Sequence, residues 1–386
     1  MKTFNFQTPT HLYFGIGEEK NVGKYIKERG YRRVFFHYGK SSIKRSGLYD
    51  TVVSSLKEAG LFFTELGGVE ANPESKLVRK GVEICRREKI DFILAVGGGS
   101  VIDSAKSIAH GIFYDGDPFD FNLHLAIPLK SLPVGVILTI AAAGSEMSTS
   151  CVISDVERQI KKGFNSESNR PVFAIENPVL TYSLPSEQTA YGIVDILSHT
   201  FERYFNASSE IEFADYIAEG LMRSVLIAGE TAIREPDNYD ARATLMVASG
   251  YSHNGLTGLG KVFSFPIHQL EHIVSAVRRD IAHGAGLACL IPAWYSLIAP
   301  LDVKKAKKFA VNVMGVEEAD SDEETIARGG EALTRFLASL KIPLRLRAYG
   351  IDETDIENMV KRLPETIEAT VPLTKALARE IYLRAL

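Results

Sequence analysis

The sequence predicts a doubly wound α/β domain over residues 1–184 followed by an all-α domain over residues 185–386. Three observations carry this. Short apolar runs alternate with amphipathic helical spans in the first half, the pattern of βαβ units around a mostly parallel sheet. One apolar run, "DFILAV", leads directly into "GGGS" and a further helical span. Beyond Leu184 the apolar residues recur at helical period, and runs of β-branched residues long enough for strands are few.

Taken in order, "HLYFG" (His11–Gly15) reads as a strand and "GEEKNVGKYIKERG" (Gly17–Gly30) as an amphipathic helix closed by Gly30. "RVFFHY" (Arg33–Tyr38) is a second strand, followed by the loop "GKSSIKRSG" and a helix near Tyr49–Ala59. "LFFTEL" (Leu61–Leu66) is a third strand and "KLVRKGVEICRREK" (Lys76–Lys89) a helix. "DFILAV" (Asp91–Val96) is a buried strand entering the glycine run. "PSEQTAYGIVDILSHTFERYF" (Pro185–Phe205) opens with Pro and an early Glu, as helices do, which makes "SLPSEQ" the domain boundary. The acidic stretch Glu317–Glu324 reads as a solvated loop and helix start.

A chain of 386 residues is too long for one comfortable core and suits two domains. Hydrophobic residues make up 45% and charged residues 24%, an ordinary globular balance. The net charge of −4 offers nothing to nucleic acid or an anionic membrane. No apolar run is expected to reach membrane-spanning length, and "MKTFNFQTPT" lacks a signal-peptide core. Three widely separated cysteines (Cys85, Cys151, Cys289) fit reduced thiols in a cytoplasmic protein. A metal site here has to be built from histidine and carboxylate.

Glycines at Gly97, Gly98 and Gly99, followed by Ser100, let a backbone approach an anion closely at a helix start, which suits a pyrophosphate. A tight strand-to-helix turn gives the same residues without a ligand, since neither the Walker nor the G-x-G-x-x-G pattern is present. Asp103 and Lys106, inside the following helix, either orient that loop or face water. In "ILTIAAAGSEMSTSCVIS" (Ile137–Ser154) the hydroxyls of Thr139, Ser145 and Ser148 suit a nucleotide's phosphate, ribose or amide, and small residues there equally suit close packing. The loop after the second strand lacks the acid that commonly holds an NAD ribose. Its Lys40, Ser41 and Ser42 suit a 2′-phosphate instead, pointing to NADP(H) over NAD(H).

"FPIHQLEHIVSAVRRDIAHGAGLA" (Phe265–Ala288) holds three of the nine histidines: His268, His272 and His283. Upstream, Asp195 and His199 lie one helical turn apart among apolar residues, an environment hostile to an unpaired carboxylate. An Asp–His hydrogen bond satisfies both without a metal. Alternatively, Asp195, His199, His268 and His283 form an N/O set for Fe²⁺ or Zn²⁺. His272, four residues after His268, is a candidate proton shuttle, a supporting residue or a surface histidine.

Together the motifs "HLYFG", "YGKSSIKRSGLYD", "AVGGGSVIDSAK", "AAAGSEMS", "LTYSLP", "GIVDILSHTFE" and "PIHQLEHIVSAV…DIAHGAGLA" resemble the iron-containing (group III) alcohol dehydrogenases, in their butanol dehydrogenase and NADPH-dependent aldehyde reductase branch. The resemblance covers nearly the whole chain. It implies the dehydroquinate synthase-like fold of that family: a Rossmann-like N-terminal domain, a helical C-terminal domain, and a cleft for cofactor and metal. It places the metal ligands on Asp195, His199, His268 and His283, a proton relay on His272, and the pyrophosphate loop on Gly97–Ser100. Thr139, Ser145 and Ser148 fall in the cofactor-lining segment, and Lys161 (or, by register, Lys162) falls near the ribose. Gly39 stands where NAD-using relatives carry Asp, which favours NADP(H), and Lys40 stands where glycine is common, which keeps NAD(H) in play.

The implied activity is hydride transfer between NAD(P)(H) and small primary alcohols or aldehydes in a cytoplasmic homodimer. The alternatives are a glycerol dehydrogenase-like enzyme, a dehydroquinate synthase-like lyase and a non-catalytic nucleotide and metal binder. The lyase needs additional basic groups, for which Arg278 and Arg279 are the candidates.

Overall fold

The computed structural model describes residues 3–205 and 211–386. The chain divides into two compact units, Gln7–Leu184 and Pro185–Leu386, with residues 3–6 grouped with the second.

The first unit contains β1 (His11–Phe14), α1 (Val22–Glu28), β2 (Arg33–Tyr38), α2 (Ser42–Arg45), α3 (Leu48–Glu58), β3 (Phe62–Leu66), α4 (Ser75–Arg87), β4 (Phe92–Gly97), α5 (Gly99–Gly111), β5 (Val134–Leu138), β6 (Ser150–Asp155), β7 (Ile160–Asn165) and β8 (Phe173–Glu176). Six of these strands pair in parallel in the order β1-β8-β5-β4-β2-β3. The central strands β4 and β5 are buried along their whole length. That explains why they read as continuous apolar runs and not as alternating ones. Side-chain alternation splits the core. Val34, Phe36, Tyr38, Leu94 and Val96 pack with Val22, Ile26, Val52 and Leu56 of α1 and α3. On β2, His37 faces the other way and hydrogen-bonds Ser104 of α5 through Nε2 at 2.9 Å.

The chain passes from β2 to β3 toward one edge, then returns to β4 on the other side of β2. The carboxyl ends of β2 and β4 therefore flank the switch point at which open α/β sheets bind ligands. Gly39 follows β2 there, and Gly97–Gly99 join β4 to α5.

Three features depart from the sequence expectation. The loop after β2 contains the short helix α2. The helix expected over Gly17–Gly30 begins as a 3₁₀ turn, Glu18–Asn21, before α1. The segment after β5 carries an antiparallel hairpin, β6–β7, whose alternation of buried and half-buried residues is too short to stand out in the sequence.

The second unit is helical: α6 (Ser186–Phe205), α7 (Glu212–Arg234), α8 (Tyr239–His253), α9 (Pro266–Val277), α10 (His283–Ile298), α11 (Val303–Lys308), α12 (Asp322–Ser339), α13 (Glu353–Arg362) and α14 (Lys375–Ala385). A two-residue ladder, Thr366–Ile367 with Leu373–Thr374, is its only β pairing among the described residues. The stretch His283–Leu301 is, contrary to the sequence expectation, long and apolar enough to cross a membrane. It is 72% buried within the protein, as a core helix is. α10 packs closely on α6: a Cβ on Gly284 would lie 2.3 Å from the carbonyl oxygen of Tyr191.

Candidate active site

In the second unit, α6 presents Asp195 and His199 one turn apart, α9 presents His268, and His283 is the first residue of α10. Ligand atoms of Asp195, His199 and His268 all lie within 4.8 Å of one another. Nε2 of His283 is 3.8 Å from Asp195 Oδ1, and Nε2 of His268 is 3.6 Å from the same oxygen. The structure thus brings together all four residues singled out in the sequence.

The histidines are oriented by a shared device. His199 donates through Nδ1 to the backbone carbonyl of Asp195 at 2.9 Å, one turn back on its own helix. His268 donates through Nδ1 to the carboxylate of Glu202, and His283 through Nδ1 to that of Glu271. With Nδ1 carrying the proton, Nε2 of each ring is the nitrogen left for a ligand role. Glu202 also accepts the backbone N–H of Ile267 at 2.6 Å, so a residue of α6 caps the start of α9. Glu271 further accepts from the Ser275 hydroxyl.

Asp195 Oδ1 and His268 Nε2 are buried and make no hydrogen bond. The metal-free reading of the Asp195–His199 pair therefore leaves a carboxylate oxygen unsatisfied, at a cost of roughly 1–3 kcal/mol or more. Three carboxylates (Asp195, Glu202, Glu271) surround three imidazoles. This donor set of nitrogen and oxygen, with its inward-facing orphans, fits a divalent cation. Burial disfavours charge on His268, yet the adjacent carboxylates of Glu202 and Asp195 outweigh it and raise its pKa to about 9. Burial, reinforced by the neighbouring His253, pushes His199 well below its ordinary value. The His253 ring lies 4.1 Å from that of His199, centroid to centroid.

His272 is half-buried, and its ring centroid is 5.7 Å from that of His283. Its ligand atom lies within 4.8 Å of those of Glu271 and His283, at the edge of the cluster. Arg278, a candidate for anion recognition, is held by Asp280 and by the carbonyl of Gly350.

In the first unit, the two segments proposed for the cofactor pack together. A Cβ on Gly98 would lie 2.3 Å from Ile140 Cγ2, and one on Gly99 would lie 2.9 Å from Ala143 Cβ. A Cβ on Gly97 would lie 2.5 Å from Val101 Cγ2. Glycine is thus required at all three positions by close approach. The N-terminus of α5, whose first turn includes Gly99 and Ser100, has no side-chain cap, which suits an anionic pyrophosphate. Thr139 donates its N–H to the Gly97 carbonyl at 3.1 Å, which ties the second segment to the first.

The hydroxyls of Ser145 and Ser148, expected to face a nucleotide, are turned inward instead. Ser145 donates to Asp103 at 2.5 Å and accepts from Lys106 at 2.8 Å; Ser148 Oγ is 3.5 Å from the same ammonium. Asp103 also accepts from the backbone N–H of Val152 at 2.8 Å. Lys106 is fully buried, and burial lowers its pKa while raising that of Asp103. These four residues form a polar clamp that fixes the glycine loop's helix against β6. Lys161 is half-buried on β7 and Lys162 is exposed. Ser41 and Ser42 are exposed; Ser41 Oγ accepts from Arg45.

Glu202 and Glu271, which orient two of the histidines, were not singled out in the sequence. Glu202 carried a signal: a carboxylate three residues after His199, between Phe201 and Arg203, on a helix buried along most of its length. Glu271 gave none, because its histidine partner, His283, comes from the next helix.

The sequence pattern of the iron-containing alcohol dehydrogenases matches residues 9–178. The pattern of the C-terminal region of the Fe-containing alcohol dehydrogenase family matches residues 189–375. The chain is similar to the NADH-dependent butanol dehydrogenase A of Clostridium acetobutylicum, at 42% identity over 96% of this chain and 95% of that protein. It is similar to the NADPH-dependent aldehyde reductase YqhD of Escherichia coli at 36% identity over 99% of both. The crystal structure of the NADH-dependent butanol dehydrogenase A of Thermotoga maritima superposes with a TM-score of 0.96 at 37% identity, covering 100% of this chain and 99% of that one.

Proposed function

The chain belongs to the iron-containing alcohol dehydrogenase family and is an NAD(P)-dependent alcohol and aldehyde oxidoreductase, and on that premise we propose that it interconverts small primary alcohols and aldehydes of butanol-like size. The observation that carries the reading is the pair of buried atoms Asp195 Oδ1 and His268 Nε2, 3.6 Å apart and neither making a hydrogen bond. Asp195, His199, His268 and His283 would hold one Fe²⁺ or Zn²⁺.

The chemistry supplied on binding is hydride exchange by the nicotinamide and polarisation of a carbonyl by the cation. The chain's own groups do the rest. Glu202 and Glu271 hold the protons on Nδ1 of His268 and His283, fixing the tautomers. Gly97–Ser100 and the start of α5 offer backbone N–H groups to the pyrophosphate, with Thr139 beside them. Gly39, Ser41 and Ser42 serve the adenosine ribose, Lys161 lies near a cofactor ribose, and Lys40 favours NADP(H) while leaving NAD(H) usable. The Ser145–Asp103–Lys106–Ser148 clamp supports this loop from behind. His272 delivers a proton to the product oxygen, or removes it in the reverse direction, at an imidazole nitrogen. The free, buried thiols accord with a cytoplasmic setting, and the assembly we propose is a homodimer.

The test is oxidation of NADPH and NADH by anaerobically purified, metal-loaded protein over straight-chain aldehydes from acetaldehyde to hexanal. Saturable turnover peaking near butanal supports the reading. Metal-loaded protein that binds the cofactor but consumes none over the whole panel contradicts it.

A further inference from the structure

The loop after β2 contains no acid of its own, yet an acid reaches it. Gly68 donates to the carbonyl of Gly39 at 2.8 Å and Val69 to that of Tyr38 at 3.3 Å, which lays the connection after β3 along the end of β2. This brings Glu70 Oε2 to 2.7 Å from Lys40 Nζ. The pair lies at the switch point: a Cβ on Gly39 would be 3.9 Å from Val101 Cγ2, the side chain that also abuts Gly97 of the glycine loop.

The other cations of the loop are engaged as well. Lys44 lies 4.7 Å from the ring centroid of Tyr49, and Arg45 donates to Ser41. Lys40 is the basic group nearest Gly39, and its charge is shared with Glu70.

We infer that Glu70 is a specificity-determining residue for the nicotinamide cofactor: it holds Lys40 in an ion pair that competes with the 2′-phosphate of NADPH and keeps NADH usable. This rests on the reading of the chain as an NAD(P)-dependent enzyme. A 2′-phosphate that pairs with Lys40 has to displace the carboxylate already holding it, whereas a 2′-hydroxyl makes no such demand on the lysine. Both partners are largely exposed, with side chains 64% and 48% accessible, so the competition is modest and salt-sensitive.

The experiment is calorimetric titration of the full-length protein with NADPH and NADH, as wild type, Glu70→Gln, Lys40→Ala and the double variant. Glu70→Gln is expected to shift the Kd ratio toward NADPH about fivefold, less at high salt, while Lys40→Ala shifts it the other way. In the Lys40→Ala background the Glu70 substitution is expected to have no effect on the ratio, since it acts through Lys40. An unmoved ratio in Glu70→Gln overturns the inference. So does an equal loss of affinity for both cofactors, or an undiminished Glu70 effect without Lys40. Binding is read without turnover, so a failed aldehyde assay bears on the activity and an unmoved ratio on Glu70; a wild type that binds neither dinucleotide overturns both.

Discussion

His268 donates through Nδ1 to the buried carboxylate of Glu202, and Nε2 of the same ring points at Asp195 Oδ1, 3.6 Å away. The bond spans 66 positions and joins α6 to α9. It sets the tautomer, the ring plane and the helix start at once, because Glu202 also caps α9 through Ile267.

Glu202→Gln keeps an acceptor but removes the charge. It is expected to weaken metal affinity by about 10- to 100-fold, as loss of such supporting contacts does. Competition against a fluorescent chelator measures it. Unchanged affinity would mean that His268 needs no such partner.

Gly98→Ala places a methyl 2.3 Å from Ile140 Cγ2, the stiff end of a β-branched side chain. Relief requires the loop or the segment after β5 to move, at a cost of about 1–3 kcal/mol. Weaker NADH binding by calorimetry, together with a lower urea midpoint, is the expected result. Wild-type values for both would show that the loop has slack.

His37 is wholly buried, donating through Nδ1 to the Leu66 carbonyl at 2.8 Å and accepting through Nε2 from Ser104. Burial lowers its pKa from 6.5 to about 4. A histidine whose folded pKa lies below its unfolded one contributes stability above the unfolded value and loses it as pH falls toward the folded one. The window here is therefore pH 6.5 down to about 4. About 2 kcal/mol of this contribution is lost between pH 7 and pH 5. His37→Asn should shrink the difference between urea unfolding free energies at those two pH values by about that amount. An equal pH dependence in the variant would assign the effect to other groups.

Much of the architecture was legible because periodicity reports burial directly. β4 and β5 are continuous apolar runs since both faces are covered, and α4 shows its buried stripe of Val78, Gly81, Val82 and Cys85. Asp195 and His199 could be paired from spacing alone, since one helical turn places them on one face. The partners that give these residues their roles were not legible in the same way. Glu271 meets His283 only after a reversal of the chain between α9 and α10, and Glu70 meets Lys40 only through the alignment of two loops. Ser145 and Ser148 show the opposite failure: hydroxyls in a suitable segment are spent on a buried lysine that the sequence allowed to face water.

The proposed function stands on one cation held by Asp195, His199, His268 and His283. Elemental analysis of anaerobically purified wild type and His268→Ala, each assayed in parallel for aldehyde reduction, tests it most directly. Close to one Fe²⁺ or Zn²⁺ per wild-type chain is expected, with joint loss of metal and turnover in the variant and no loss of NADPH binding. A His268→Ala protein that retains full metal occupancy and turnover would contradict it.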